Sequence, residues 1–227
     1  MKVVIQCAAS KREGAGMMER RNGAKVKFVA DPALAPHANG VVYARPDDPA
    51  EYGSTWRDEV LEYNRSPGSN PLGLLRASEL YTEDVYQLLA SRFGVDNLFI
   101  LSAGWGLIPA DFLTPNYDIT FSSGKKIASY KRRKKADPYQ DLCLFPSDSD
   151  EPVVFLGGKD YVPKFVSLTA EAKGLRVIFY NAKDEPKAPG CTLVRFYPKK
   201  PGTRTNWQYE CARALMDGGI GLPAALM

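Results

Sequence analysis

Hydrophobic positions in this 227-residue chain gather into short apolar runs separated by longer polar stretches rich in glycine and proline. Val3–Cys7, broken only by Gln6, and the continuous Leu98–Leu101 and Val153–Leu156 are β-branched, aliphatic or aromatic runs, the pattern of strands covered on both faces. The second run predicts a strand over 97–102. Further strands are expected at Leu175–Tyr180 and Thr192–Phe196. Between them the apolar period lengthens to that of helices. Thr82 reads as an N-cap, Val85, Leu88, Leu89 and Phe93 form one stripe, and Gly94 supplies the stop. Two more helices are predicted from about Asp160 to Lys173 and from about Thr205 to Met216. A strand, an insertion, a helix and a second strand suit a crossover between parallel strands. Repeated strand–glycine–helix junctions predict one α/β domain over 1–227, with a central, mostly parallel sheet flanked by helices.

The large insertion after the first strand, residues 12–71, is irregular and holds Pro32, Pro36, Pro46, Pro49 and Pro67. Short strands are expected at Val26–Val29 and Val41–Ala44, and a helix from about Thr55 to Tyr63 with Trp56, Val60 and Leu61 on one face. This region reads as an elaboration of the core rather than a separate domain.

Composition narrows the class without naming a function. Apolar content of 44% and charged content of 25% are ordinary for a globular chain. No run of 18 apolar residues is present, and the N-terminus enters a strand pattern with no signal-peptide features. Cys7, Cys143, Cys191 and Cys211 are scattered without a Cys-x-x-Cys pair, which predicts a reducing cytoplasm and argues against a structural zinc site. The single histidine, His37, lies in the insertion and cannot supply a metal cluster; no metal or cofactor is called for. Acid–base chemistry would then rest on carboxylates, lysines, tyrosines or an activated water.

Candidate chemistry collects after three of the predicted strands, where open α/β sheets bind ligands. Ser10 and Lys11 follow the first. Ser102 and Trp105, in Ser102-Ala-Gly-Trp-Gly106, follow the second, with Asn116, Tyr117 and Asp118 downstream. Lys159, Asp160 and Tyr161 follow the third, after Gly157-Gly158. The glycines around Trp105 admit two readings: a loop that lets backbone approach a ligand while the indole stacks on it, or a tight turn whose Trp packs into the core. Gly-Gly-Lys resembles a phosphate-binding turn, but the full Gly-x-x-x-x-Gly-Lys-Ser/Thr loop is absent. Singly, each of these groups reads equally as a cap or turn residue. Together they predict one cleft lined by Ser10, Lys11, Ser102, Trp105, Asp118, Lys159, Asp160 and Tyr161.

Charge adds a second feature. Lys125, Lys126, Lys131, Arg132, Arg133, Lys134 and Lys135 crowd a loop over 122–139, with Tyr130 and Tyr139 alongside. Such a run binds phosphates, and its aromatics stack on bases, unless it is merely a solvated loop. Because it follows the site loop directly, nucleic acid is the expected partner, and the segment 124–136 is expected to be mobile without it.

Five blocks in order carry a family resemblance: Cys7-Ala-Ala-Ser-Lys11, Ala77-Ser-Glu-Leu-Tyr81, Ile100-Leu-Ser-Ala-Gly-Trp-Gly-Leu107, Leu113-Thr-Pro-Asn-Tyr-Asp118 and Val154-Phe-Leu-Gly-Gly-Lys-Asp-Tyr161. They resemble the YaaA-like superfamily, whose first block is Cys-Ser-x-Ser-Lys. Similar domains accompany archaeal tRNA-guanine transglycosylases, and the superfamily is linked to nucleic-acid binding and modified bases. The resemblance covers about residues 1–12 and 77–180, not the insertion or the basic run. This chain departs from the pattern at Ala8, at Gly104-Trp105 and at Asn116, all beside the expected site.

The resemblance, with the basic run and the Trp-containing loop, implies an enzyme that excises a modified base from DNA. Trp105 would stack on the extruded base, Asn116 would read its edge, and Asp118 or Asp160 would stabilise the cationic sugar or orient water. Defence of a bacterium against phage carrying modified DNA fits this chemistry. The rival expectations are a non-catalytic DNA-binding protein and a nucleoside glycosidase or deoxyribosyltransferase.

Overall fold

The computed structural model describes residues 1–51, 53–122, 124, 126–134, 136–199 and 206–220. The most apolar runs of the chain build the middle of the sheet. β1 (Lys2–Gln6) lies between β6 (Leu98–Ser102) and β11 (Val153–Leu156), parallel to both, with Val4 opposite Phe99 on one side and Phe155 on the other. Parallel β12 (Arg176–Tyr180) and β13 (Thr192–Arg195) extend the β11 side. On the β6 side the chain turns back as antiparallel β7 (Gly106–Pro109), to which β10 (Leu142–Cys143) adds in parallel. The seven-stranded order is β10-β7-β6-β1-β11-β12-β13. The α/β class and mostly parallel sheet predicted from the apolar runs are therefore present.

Covering helices explain why those strands lack a polar alternation. α2 (Val85–Phe93) and α4 (Trp207–Met216) pack together and against β1, β6 and β11. α3 (Val162–Leu168) stacks Phe165 on Phe155, ring centroids 4.6 Å apart. It is shorter than the predicted helix and ends near Thr169, whose hydroxyl bonds back to the Phe165 carbonyl. α2 begins three residues after Thr82 and stops at Gly94, φ +88°. Among the described residues no helix is long and apolar enough to cross a membrane.

The insertion forms its own small sheet. β2 (Met18–Glu19) runs antiparallel to β3 (Lys25–Val29), and β4 (Val41–Ala44) lies parallel on the other edge. α1 (Trp56–Arg65) starts in a capping box between Thr55 and Asp58. β5 (Leu75–Arg76) pairs with β8 (Leu113–Thr114). β9 (Tyr117–Asp118) joins β3, with Phe28 opposite Tyr117 and Val29 opposite Asp118. That pairing sews the insertion to the segment that leaves β7.

Candidate active site

From β1 the chain crosses to β6 on one side and later places β11 on the other, so the strand order reverses at the carboxyl ends of β1 and β11. Backbone connections diverge at such a point and leave a crevice suited to a ligand. Here they leave two adjoining cavities of about 300 Å³ and 230 Å³, which share Ala9, Ile119, Thr120 and Ile127 as a common wall.

The larger cavity holds the charge. Lys11, Asp118, Lys126, Tyr130 and Lys131 line it. Asp118 reaches it because β9 alternates: Tyr117 and Ile119 are buried while Asp118 and Thr120 are partly exposed. The Asp118 Oδ2 accepts from Lys27 and from Lys131, each at 3.0 Å. Lys27 stands on β3 one residue before the Phe28–Tyr117 pair, so the insertion supplies half of this clamp. Burial acts to raise the Asp118 pKa, but the hydrogen bonds and charges of the two lysines outweigh it and hold the carboxyl below its ordinary value.

Lys11 is half-buried, and a β-bridge to Tyr81 fixes its backbone. Its ammonium donates to the Ala9 carbonyl at 3.3 Å and sits over the Tyr117 ring, 4.0 Å from the centroid. Among the described residues it makes no ion pair. Loss of hydration, only partly offset by the nearby Cys7 and Asp118, brings its pKa down to about 8.

The smaller cavity is lined by Cys7, Tyr161, Asn206, Gln208 and Tyr209, among others. Cys7 Sγ and the Tyr161 hydroxyl are 3.3 Å apart, and the Ala103 N–H points at the same sulfur. Gln208 is buried, and its Oε1 has no hydrogen-bond partner among the described residues. Burial pushes the phenols of Tyr81, Tyr117 and Tyr161 well above their ordinary range, so all three are neutral at physiological pH.

The single predicted cleft divides. Lys11 and Asp118 share the larger cavity, and Tyr161 lines the smaller. Lys159 and Asp160 lie instead in a separate groove of about 720 Å³ beyond the ends of β11, β12 and β13, with Lys183 and Arg195. Ser10 is exposed and lines neither cavity. Ser102 is interior: its Oγ accepts from the Gly104 and Trp105 N–H groups and donates to the Tyr117 hydroxyl at 2.9 Å, which in turn bonds Tyr81. Asn116 is partly exposed beyond the cavity walls, its N–H tied to the Gly16 carbonyl.

Trp105 is 0% exposed, so of its two readings the core turn is the one observed, and a base cannot stack on it. Phe28 meets the indole edge-on at 5.0 Å, and the Arg57 guanidinium lies 5.6 Å from its ring centre. Gly106 serves the sheet rather than a ligand: φ is +93°, and a Cβ there would sit 2.3 Å from the Leu142 carbonyl oxygen. Tyr130 is the aromatic that the cavity does present.

The basic run is only partly a phosphate-seeking surface. Arg133 is buried, forming a fork on Asp141 with bonds of 2.6 and 2.7 Å and a further bond to the Ala103 carbonyl at 2.8 Å. Arg57 takes the next two carbonyls, Gly104 at 3.2 Å and Trp105 at 3.1 Å. Two buried guanidiniums thus satisfy three successive carbonyls of the loop after β6. Arg132 bonds the Gly124 and Ile127 carbonyls, and Lys131 is committed to Asp118. The Thr120 N–H donates to the Lys131 carbonyl and the Arg133 N–H to the Thr120 carbonyl, backbone partners that the linear reading of a self-repelling loop does not anticipate. Lys126 and Lys134 remain exposed; Lys125 and Lys135 lie outside the described residues.

Lys27 and Gln208 at the site, and Arg57 behind it, are residues that the linear pattern does not single out, whereas Tyr130 stands out there as a neighbour of the basic run. The alternation Val26-Lys27-Phe28 marks Lys27 as facing away from the small sheet's core, but its partner, 91 positions later, is visible only after folding. Comparison of the chain with protein-family models, curated proteins and solved structures finds no match.

Proposed function

We propose that the protein processes nucleobases in DNA, cleaving the N-glycosidic bond of a modified base at the paired cavities. One observation carries the reading: an ionised carboxylate and three lysines line a space of nucleotide size at the switch point of the sheet, beside a second pocket lined by Cys7, Tyr161 and Gln208. The resemblance of the blocks around Cys7–Lys11, Ile100–Leu107 and Val154–Tyr161 to the YaaA-like superfamily points toward the same substrates.

In this reading an extruded nucleotide enters by the larger cavity. Tyr130 offers a ring face, and Lys126 meets a flanking phosphate. As the glycosidic bond breaks, positive charge develops on the sugar. Asp118, kept anionic by its lysines, stabilises that charge. The low pKa makes Asp118 an electrostatic partner rather than a general acid. Asp160 lies in the neighbouring groove, so Asp118 is the carboxylate assigned to the reaction.

The buried state of Arg133 and the commitment of Lys131 and Arg132 to protein partners favour one second reading, a glycosidase of free nucleosides or nucleotides, which needs no extended phosphate contact. Incubation of the protein with DNAs bearing different base modifications, and in parallel with the free nucleosides, tests both. Mass spectrometry should find released base and matching abasic sites in the DNA arm. Base release from free nucleosides alone would establish the second reading, and release in neither arm would overturn both.

A further inference from the structure

We propose that Lys11 is a catalytic nucleophile whose amine bonds covalently to C1′ of the deoxyribose, so that the enzyme passes through an imine to the sugar. The inference rests on the base-excision reading above and assigns a role to a lysine which that reading leaves without one. Four lysines reach Asp118 or its cavity, but Lys27 and Lys131 are spent on its Oδ2, and Lys126 is exposed to solvent. Lys11 lines the same cavity with no carboxylate partner among the described residues. Its ammonium instead rests on the Tyr117 ring and one carbonyl, contacts that favour the charged form less than a carboxylate partner would. The Tyr117 ring is itself fixed by bonds to Ser102 and Tyr81, and the Lys11 backbone by its bridge to Tyr81, so the amine is positioned by the core. With a pKa near 8 a useful fraction of Lys11 is unprotonated at neutral pH, the state a nucleophile requires.

The chemistry balances without an added cofactor. The Lys11 Nζ lone pair forms a bond to C1′ as the C1′–N bond to the base breaks; the base leaves with that electron pair and takes up a proton. Nζ loses a proton, the ring C1′–O4′ bond opens with its electron pair on O4′, which takes up that proton as a hydroxyl, and a protonated imine remains between Lys11 and C1′. Water then adds to C1′ and the C1′–N bond breaks, which frees the amine and leaves the aldehyde form of the abasic sugar. The same imine forms directly from an abasic site, where Nζ adds to the C1′ aldehyde and its oxygen departs as water. Asp118 remains anionic beside the cationic intermediate throughout.

The test uses duplex DNA containing one preformed abasic deoxyribose, incubated with the whole protein and sodium cyanoborohydride. Hydride delivered to C1′ converts the imine to a stable secondary amine and fixes protein to DNA. Peptide mapping of the parental adduct should find the sugar remnant on Lys11, which needs no variant to fold. Lys11→Arg, which keeps the charge, should lower adduct yield at least tenfold, and the parental trapping rate should rise with pH and level off above about 8. A remnant mapped to Lys126 or Lys131, or equal trapping by Lys11→Arg, would overturn the proposal. Because the probe already lacks a base, this outcome is separate from base release. Excision with no Lys11 adduct refutes the nucleophile and leaves the glycosidase standing, whereas a Lys11 adduct with no excision refutes the glycosidase and leaves the nucleophile standing.

Discussion

Two ammonium groups on one carboxylate oxygen set the charge state of Asp118, and each can be removed. Replacing Lys27 with Met leaves the burial of Asp118 in place and deletes one of its two counterions, so the carboxyl pKa must rise from its depressed value. An NMR pH titration of the Asp118 carboxyl carbon checks the direction; no change would mean that Lys131 alone sets it. A carboxyl depressed in the folded state contributes stability that is present above its unfolded value of 3.8 and lost as pH falls through the folded pKa, and Lys27→Met should shrink that contribution. Trp105 belongs at the same scale for another reason. Fully buried between Phe28 and Arg57, it is expected to cost about 3–5 kcal/mol of folding stability when replaced by Ala, as large core truncations do. Denaturant unfolding measures this; a loss confined to DNA binding, with the fold unchanged, would contradict its placement in the core.

At the scale of elements, the loop after β6 is held by side chains from two distant segments. Arg133 and Asp141 are nearly inaccessible, with Lys164 as a further partner of Asp141 at 2.7 Å. Arg133→Ala strands a buried carboxylate with one remaining cation and leaves the Ala103 carbonyl unpaired, so a loss of about 3–5 kcal/mol in unfolding free energy is expected. A loss under about 0.5 kcal/mol, the range of ordinary surface changes, would show that the fork contributes little. This arrangement also explains what could be read beforehand. β1, β6, β11 and β12 announce themselves because their burial is written as local runs, and Gly94 marks a helix end by the same local logic. The division of the site was not legible, because it depends on pairings between segments far apart: Lys27 with Asp118, Arg57 with Gly104 and Trp105, Arg133 with Ala103. A basic run and a glycine-flanked Trp look like surface chemistry in a linear reading. Here the arginine covers loop carbonyls, the glycine admits the β10 backbone, and the Trp fills the space between the small sheet and the large one.

Over the whole molecule, the central sheet, the insertion and the segment after β9 converge on one crevice, and the surface outside it decides how DNA would be met. Among the described residues of the run, exposed Lys126 and Lys134, rather than its buried or committed members, are the groups free to neutralise phosphates. Replacing both with Ala should reduce the slope of log affinity against log salt by roughly 1 for each phosphate left without its lysine, while Lys131→Ala should chiefly alter catalysis through Asp118. Binding isotherms across a salt series read the slope directly, and an unchanged slope would remove these two lysines from the interface.

The central claim is that Asp118 stabilises a sugar cation formed in the cavity at the ends of β1 and β11, and one comparison tests it most directly. Single-turnover base release from modified DNA is measured for the parent and for Asp118→Asn, beside equilibrium binding of the same duplex. Because the carboxylate acts on charge that develops only in the transition state, release by the variant should fall by about 100-fold or more while binding changes by less than about tenfold. Release by Asp118→Asn at the parental rate, with parental binding, would contradict the account.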